Sequence, residues 1–309
     1  MVHGWPTLSS STDDVFFFIM GISFTLLLLT SGTMVFFVIR YSRKRNPRAV
    51  SIKNNVALEV VWTVIPTILV LAIFWVGWKG FVYKRTVPPD AMLVKVTARQ
   101  WSWSFRYGNG QETPDLKVPL GKPVKLAITS ADVLHSLFIP AFRVKEDAVP
   151  GRETYLWFQP DRTGSFDLFC TEYCGVGHSD MITKVVVMPD EEFEKWYRAT
   201  AAAAAPGTAG HRKLDGAQLF QVKGCIACHS TDGTPKIGPT LKGVYEHSVS
   251  VVTGGKERRI VADEEYLKTS LLDPQADVVK GFAPIMPSQK GVLTDEEIEA
   301  IIEYLETLK

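Results

Sequence analysis

Two short stretches concentrate the side chains able to hold a metal or a prosthetic group. Residues 170–181, CTEYCGVGHSDM, carry two cysteines four apart, then His178 and Met181. Residues 225–229, CIACH, have the spacing C-x-x-C-H. In that spacing two thiols share one turn, placed to form thioethers with the two vinyl groups of a haem, with the histidine beneath the iron. A redox C-x-x-C would need a βαβ context that is missing here, and a zinc site would need two further ligands nearby. The motif therefore reads as a covalent haem c site on Cys225, Cys228 and His229. For the other face of the iron, the chain after 229 offers Met286 in APIMPSQKG and His247 in VYEHS. Met286 lies between prolines in a stiff loop ahead of the last helix and is the expected axial ligand. His247 reads as a surface residue.

With Cys225 and Cys228 so assigned, Cys170 and Cys174 remain. A disulfide between them would close a very small ring at poor geometry and would explain neither His178 nor Met181. Zinc has little use for a thioether, while a catalytic thiol is allowed by the spacing alone. Soft thiolate and thioether donors together with imidazoles select copper. Of the six histidines, only His135, in ADVLHSLFIP, and His178 fall in the same segment of the chain. Two cysteines, two histidines and Met181 exceed what one copper needs.

The elements that must carry these groups fall into distinct blocks. Two charge-free apolar runs, 15–39 and 60–78, hold 25 and 19 residues. As helices they would span roughly 37 and 28 Å, against a bilayer core of about 30 Å. A signal peptide fits the first run poorly: the run is too long, without a basic segment before it or a small-residue cleavage site after it. The loop between the runs, 40–53, has six Lys/Arg and no acid, which places it on the cytoplasmic side and both termini outside. From 91 the pattern has period two, with Val94, Val96 and Ala98 in one phase. Trp101, Trp103, Phe105 and Tyr107 take the other phase, which calls for a bulge or bend near Gln100. Short β runs separated by Gly/Pro/Asp turns continue to about 190 and read as a small antiparallel β-sandwich or barrel. An Ala/Pro/Gly-rich linker, whose five-alanine run could instead form a short helical turn, then leads to a helical segment, with Asp215 as one cap and Thr294/Glu297 as a capping box. In the last helix Ile298, Ile301, Ile302, Leu305 and Leu308 share a face. The expected blocks are 1–88 (tail and transmembrane hairpin), 89–192 (β domain), 193–210 (linker) and 211–309 (α domain). A net charge of +1 gives no reason to expect nucleic acid as a partner.

The segment from about 10 to 192, with DVLHS and CTEYCGVGHSDM, resembles subunit II of the haem–copper cytochrome c oxidases. The C-terminal segment, with CIACH, GPTLKGVY, the Met286 loop and a terminal helix, resembles a class I cytochrome c. Their fusion looks like the caa3-type oxidases. That resemblance implies a two-helix transmembrane hairpin, an all-β cupredoxin-like domain with a binuclear CuA copper centre, and an all-α cytochrome c domain. Cys170 and Cys174 match the bridging thiolates, His135 and His178 the imidazole ligands, Met181 the thioether, and the Glu172 carbonyl a weak oxygen ligand. Trp101 matches the residue where electrons enter CuA, against the plainer reading of a core aromatic. Trp103 and Phe105 read as core. The Glu172 side chain matches a ligand to a magnesium ion shared with subunit I. Glu59 matches the glutamate at the mouth of a proton pathway, against the plainer reading of an acid at a helix end. Pro239 matches a proline packed near the proximal histidine, and 145–152, KEDAVPGR, a structural turn.

The resemblance further implies an electron-input subunit of a proton-translocating cytochrome-c oxidase in a bacterial cell (inner) membrane, with its large domains on the periplasmic side. Electrons would pass from haem c to CuA and then to haem a and the oxygen-reducing site of subunit I, so this chain would do no oxygen chemistry. Subunit I, the other oxidase subunits and the lipid bilayer are the implied partners. The donor would be an external cytochrome c or another respiratory complex. Residues 211–309 carry 12 Lys/Arg against 15 Asp/Glu, a net charge of −3, too small a bias to choose between them. A CuA-bearing nitric oxide reductase subunit is the alternative.

Overall fold

The computed structural model describes residues 8–48, 50–51, 53–204 and 214–309. They form two compact units, Met1–Pro89 and Asp90–Lys309. In the first, α1 (Leu8–Arg40) and α2 (Val56–Arg85) contain the expected spans with several residues to spare. Both are long and apolar enough to cross a membrane, with mean hydropathies of 2.2 and 2.3. Phe17, Leu28, Val61 and Trp62 point outward with no protein cover, the mark of helices whose solvent is lipid. Thr25 and Thr30 turn their hydroxyls back to the carbonyls of Gly21 and Leu26 at 2.8 Å, so these two polar groups are satisfied within the helix. Asn55 caps α2 by accepting the Leu58 N–H at 3.2 Å.

The second unit begins with ten strands: β1 (Met92–Arg99), β2 (Ser102–Tyr107), β3 (Glu112–Thr113), β4 (Leu116–Pro119), β5 (Val124–Ser130), β6 (His135–Ile139), β7 (Val144–Ala148), β8 (Thr154–Phe158), β9 (Gly164–Cys170) and β10 (Ile182–Met188). They make two five-stranded sheets, ordered β3-β2-β1-β5-β8 and β4-β10-β9-β6-β7. Inward-facing Val94, Val96, Trp103, Phe105, Leu126, Leu137 and Leu168 fill the space between them, a sandwich as the alternation expects and cupredoxin-like as the resemblance implies, though not purely antiparallel, since β1 pairs with β5 and β4 with β10 in parallel. Ala98 pairs with Trp103 and Arg99 with Ser102 across antiparallel β1 and β2. The change of phase at Gln100 is thus a tight hairpin reversal rather than a bulge, and Gln100 and Trp101 are its tip.

α3 (Asp190–Ala204) corrects the expected linker, which was to start at 193. Phe193 is buried, Trp196 meets the Tyr107 ring edge-on at 5.1 Å, and Asn109 Nδ2 donates to the Tyr197 carbonyl at 2.9 Å. These apolar rings anchor the helix to the sandwich, and the alanines prolong it because alanine is the best helix former. The remainder of the linker, 205–210, and the start of the next block, 211–213, lie outside the described residues.

The C-terminal block contains α4 (Gly216–Val222), α5 (Cys225–Cys228), β11 (Ser248–Thr253), β12 (Lys256–Val261), α6 (Glu264–Leu272), β13 (Val278–Val279) and α7 (Asp295–Glu306). Asp215 and Thr294/Glu297 cap α4 and α7 as expected. Ile298, Ile301, Ile302 and Leu305 of α7 close a core with Phe220, Leu267 and Leu271, with Leu308 packed at its margin. A side chain at Gly216 would overlap the Ala300 carbonyl, so glycine lets α4 and α7 cross in contact. The block is helical around its core, but it is not all-α. β12-β11-β13 form a three-stranded sheet, built from the alternating SVSVVT and KERRIV runs around a Gly-Gly turn.

Candidate functional sites: a sulfur-rich loop and a cysteine-lined cavity

The loop between β9 and β10 is held at both ends by backbone pairing. Cys170 pairs with Leu137 of β6, its N–H donates to the Met181 carbonyl at 3.2 Å, and the Thr171 N–H donates to the Ser136 carbonyl at 2.9 Å. This pairing brings His135, at the start of β6, to the loop. Cys170 Sγ lies 3.8 Å from Cys174 Sγ and 3.9 Å from His135 Nδ1. Cys174 Sγ lies 3.6 Å from His178 Nδ1 and 3.9 Å from Met181 Sδ. The Glu172 carbonyl is 3.3 Å from Cys170 Sγ. His135, Cys170, Cys174 and Met181 are buried, and His178 is half-buried. All six expected donors therefore converge on one pocket. A buried set of two sulfurs, two imidazole nitrogens and a thioether suits copper and has no packing rationale of its own.

Two further residues orient that set. His135 Nε2–H donates to Asp132 Oδ1 at 2.8 Å, which fixes the tautomer and leaves Nδ1 facing the sulfurs. Burial alone would lower the His135 pKa, but the Asp132 bond and the Cys170 sulfur raise it to about 9. Burial also opposes both thiolates. Contact with His135 and with backbone groups nonetheless takes Cys170 below the usual thiol range, while the neighbouring Cys170 charge drives Cys174 further up. Gln100 Nε2 and Trp101 Nε1 both donate to the Cys174 carbonyl, at 2.7 and 3.1 Å. The Trp101 ring lies on the loop so closely that a Cβ at Gly177 would be 2.5 Å from its Cδ2. Trp103 and Phe105 are core, as expected, although Trp103 also meets the His135 ring edge-on at 6.3 Å. The Glu172 side chain is half-exposed, 3.8 Å from Lys145. Glu59 lies in the first turn of α2 in the other unit.

Cys225, Cys228, His229 and Met286 line a single cavity of about 230 Å³, walled mainly by apolar side chains such as Leu267, Leu271 and Ile301. His229 Nδ1–H donates to the Pro239 carbonyl at 2.8 Å, so Nε2 keeps its lone pair for an iron. A Cβ at Gly238 would come within 2.7 Å of His229 Cε1, so glycine makes room for the ring. Burial lowers the pKa of His229 and raises those of both cysteines, Cys225 to about 11. A neutral imidazole and neutral thiols facing an apolar slot fit a covalently attached haem. His247 is exposed, with Nδ1 bonded to the Tyr245 carbonyl, as expected of a surface residue.

A cupredoxin-like sandwich with a two-thiol loop, joined to a cytochrome c block and preceded by two membrane-competent helices, defines a membrane-anchored electron-transfer protein. The chain belongs to the cytochrome c oxidase subunit II family, with the added cytochrome c domain of the caa3-type arrangement. The family models for the transmembrane domain of cytochrome c oxidase subunit II, its periplasmic domain and cytochrome c match residues 7–77, 111–188 and 214–309. These families imply CuA copper and haem c. Cytochrome c oxidase subunit 2 of Alkalihalophilus pseudofirmus is 31% identical over 288 residues, covering 89% of this chain and 81% of that protein. Alternative cytochrome c oxidase subunit 2 of Bradyrhizobium diazoefficiens is 36% identical over 60% of this chain and 77% of its own length. Among solved structures, the periplasmic domain of subunit II of a Bradyrhizobium japonicum cytochrome oxidase matches with 33% identity and a TM-score of 0.36. It covers 39% of this chain and all of that one.

Proposed function

We propose that this chain is the electron-input subunit of a proton-pumping haem–copper terminal oxidase. Its cytochrome domain receives single electrons from an external cytochrome c or another respiratory complex. Its cupredoxin domain delivers them to subunit I, which holds haem a and the oxygen-reducing site. Haem c on Cys225, Cys228, His229 and Met286, and CuA on His135, Cys170, Glu172, Cys174, His178 and Met181, supply the one-electron carriers when bound. The observation that carries the reading is the β1–β2 turn. Arg99 and Gln100 line the cysteine-lined cavity, while Gln100 and Trp101 are hydrogen-bonded to the Cys174 carbonyl. One turn of backbone thus touches both sites, and Trp101 is the entry point to the copper loop. The protein's own work is to hold its donors still: Asp132, Gln100 and the strand pairing at Cys170 keep the loop from rearranging when its charge changes.

In the same reading, the half-exposed Glu172 carboxylate exchanges its loose contact with Lys145 for a magnesium ion shared with subunit I, and Glu59 opens a proton pathway from its place in α2. The basic loop 40–53 faces the cytoplasm, and the large domains face the periplasm of a bacterial inner membrane. The test is mass spectrometry with optical and EPR spectra of the purified complex. One covalent haem and two coppers sharing one unpaired electron are expected per chain, with an oxidase subunit I copurifying. A single copper, or zinc, at 170–181 overturns the copper assignment. A nitric oxide reductase catalytic subunit in place of subunit I overturns the acceptor.

A further inference from the structure

The cavity beside the C-x-x-C-H motif is not walled by the cytochrome domain alone. Arg99, the last residue of β1, lines it together with Gln100. The two domains meet tightly there. Gly224, immediately before Cys225, has the left-handed φ of +81° and faces Ser102, so any side chain would overlap the serine's Cβ and Oγ. Arg99 Nη1 donates to Oε1 of the buried Gln289 at 3.2 Å. Among the described residues that neutral amide is the partner of the guanidinium, and no carboxylate pairs with it. The other cation on this wall, Lys223, is already committed to Glu297 at 2.8 Å, with both side chains largely buried.

A half-buried guanidinium without an anion is unfavourable. A haem brings two carboxylates, and the planar fork of arginine matches a carboxylate with two hydrogen bonds. We infer that Arg99 is a haem-binding residue supplied across the domain boundary: its guanidinium is the counter-charge for a haem carboxylate, so the cupredoxin domain completes the pocket of the cytochrome domain. This rests on the reading of 225–229 as a haem c site. Gln289 then acts as a positioning residue, holding the guanidinium over the cavity.

The test is a spectropotentiometric titration of haem c in the purified complex from wild type, Arg99→Lys and Arg99→Gln, with covalent haem counted by mass. Loss of the cation leaves a carboxylate uncompensated in a poorly screened site, which favours the oxidised iron. Arg99→Gln is therefore expected to lower the midpoint potential, and Arg99→Lys to recover most of the shift. If Arg99→Gln instead fails to retain haem, recovery of haem in Arg99→Lys supports the assignment equally. Potentials unchanged in both variants, or a loss that lysine does not restore, overturn it. A wild-type chain without covalent haem overturns the reading of 225–229, and this inference with it.

Discussion

At the scale of single residues, the copper loop is governed by groups that would ligate nothing. Gly177 is the clearest case, because the Trp101 ring occupies the space a Cβ would need. Gly177→Ala should displace the indole and cost about 1–3 kcal/mol through overpacking. The expected result is a lowered unfolding temperature and an altered EPR spectrum at unchanged copper content. An unperturbed spectrum would show that the ring does not brace the loop. The sulfur, imidazole and thioether donors were legible in the sequence because soft ligands crowded into a dozen residues have few other uses. His135 was legible once the other histidines had been placed. Gln100, Asp132 and Arg99 were not. The side-chain hydrogen-bond partners of Gln100 and Arg99 lie 74 and 190 positions away. An aspartate three before a histidine looks like ordinary turn chemistry until the strand pairing shows which way the ring faces.

At the scale of elements, two pieces of structure exceed what the sequence announced, and each can be tested. α3 was hidden because its alanine-rich half resembles a linker, and its anchoring rings lie only in the first two turns. Phe193→Ala should cost about 3–5 kcal/mol, releasing α3 from the sandwich. Differential hydrogen exchange over 190–204 would register that release, and unchanged protection there would refute the anchoring. The small sheet in the cytochrome domain was missed because its strands are short and sit between helices. Asp277 joins its strands, accepting hydrogen bonds from Thr253 at the end of β11 and from Arg258 of β12. Those bonds, Thr253 first and the Arg258 charge after it, hold its carboxyl below the usual carboxylate range. A carboxyl lowered in the folded state stabilises above its unfolded pKa, about 3.9. That contribution is lost as pH falls through the lowered folded value. The wild-type melting temperature of the cytochrome domain should therefore drop more steeply below about pH 4 than that of Asp277→Asn, and parallel curves would exclude this role.

At the scale of the whole molecule, one hairpin turn touches both candidate sites. A metal bound only by the folded state stabilises it by mass action. Stripping copper with a chelator should lower the calorimetric transition of the sandwich by several degrees and leave the covalent haem in place. A transition indifferent to copper would mean that the loop is not a folded-state metal site. The four residues 99–102 divide their contacts between the two sites: Arg99 and Ser102 meet the cytochrome domain, Trp101 meets the copper loop, and Gln100 lines the cavity while bonding the Cys174 carbonyl. Neighbouring residues of so short a turn cannot move independently. A substitution that shifts the backbone of 99–102 should therefore be felt on both sides of the boundary at once, as a disturbance shared by two pockets rather than confined to one.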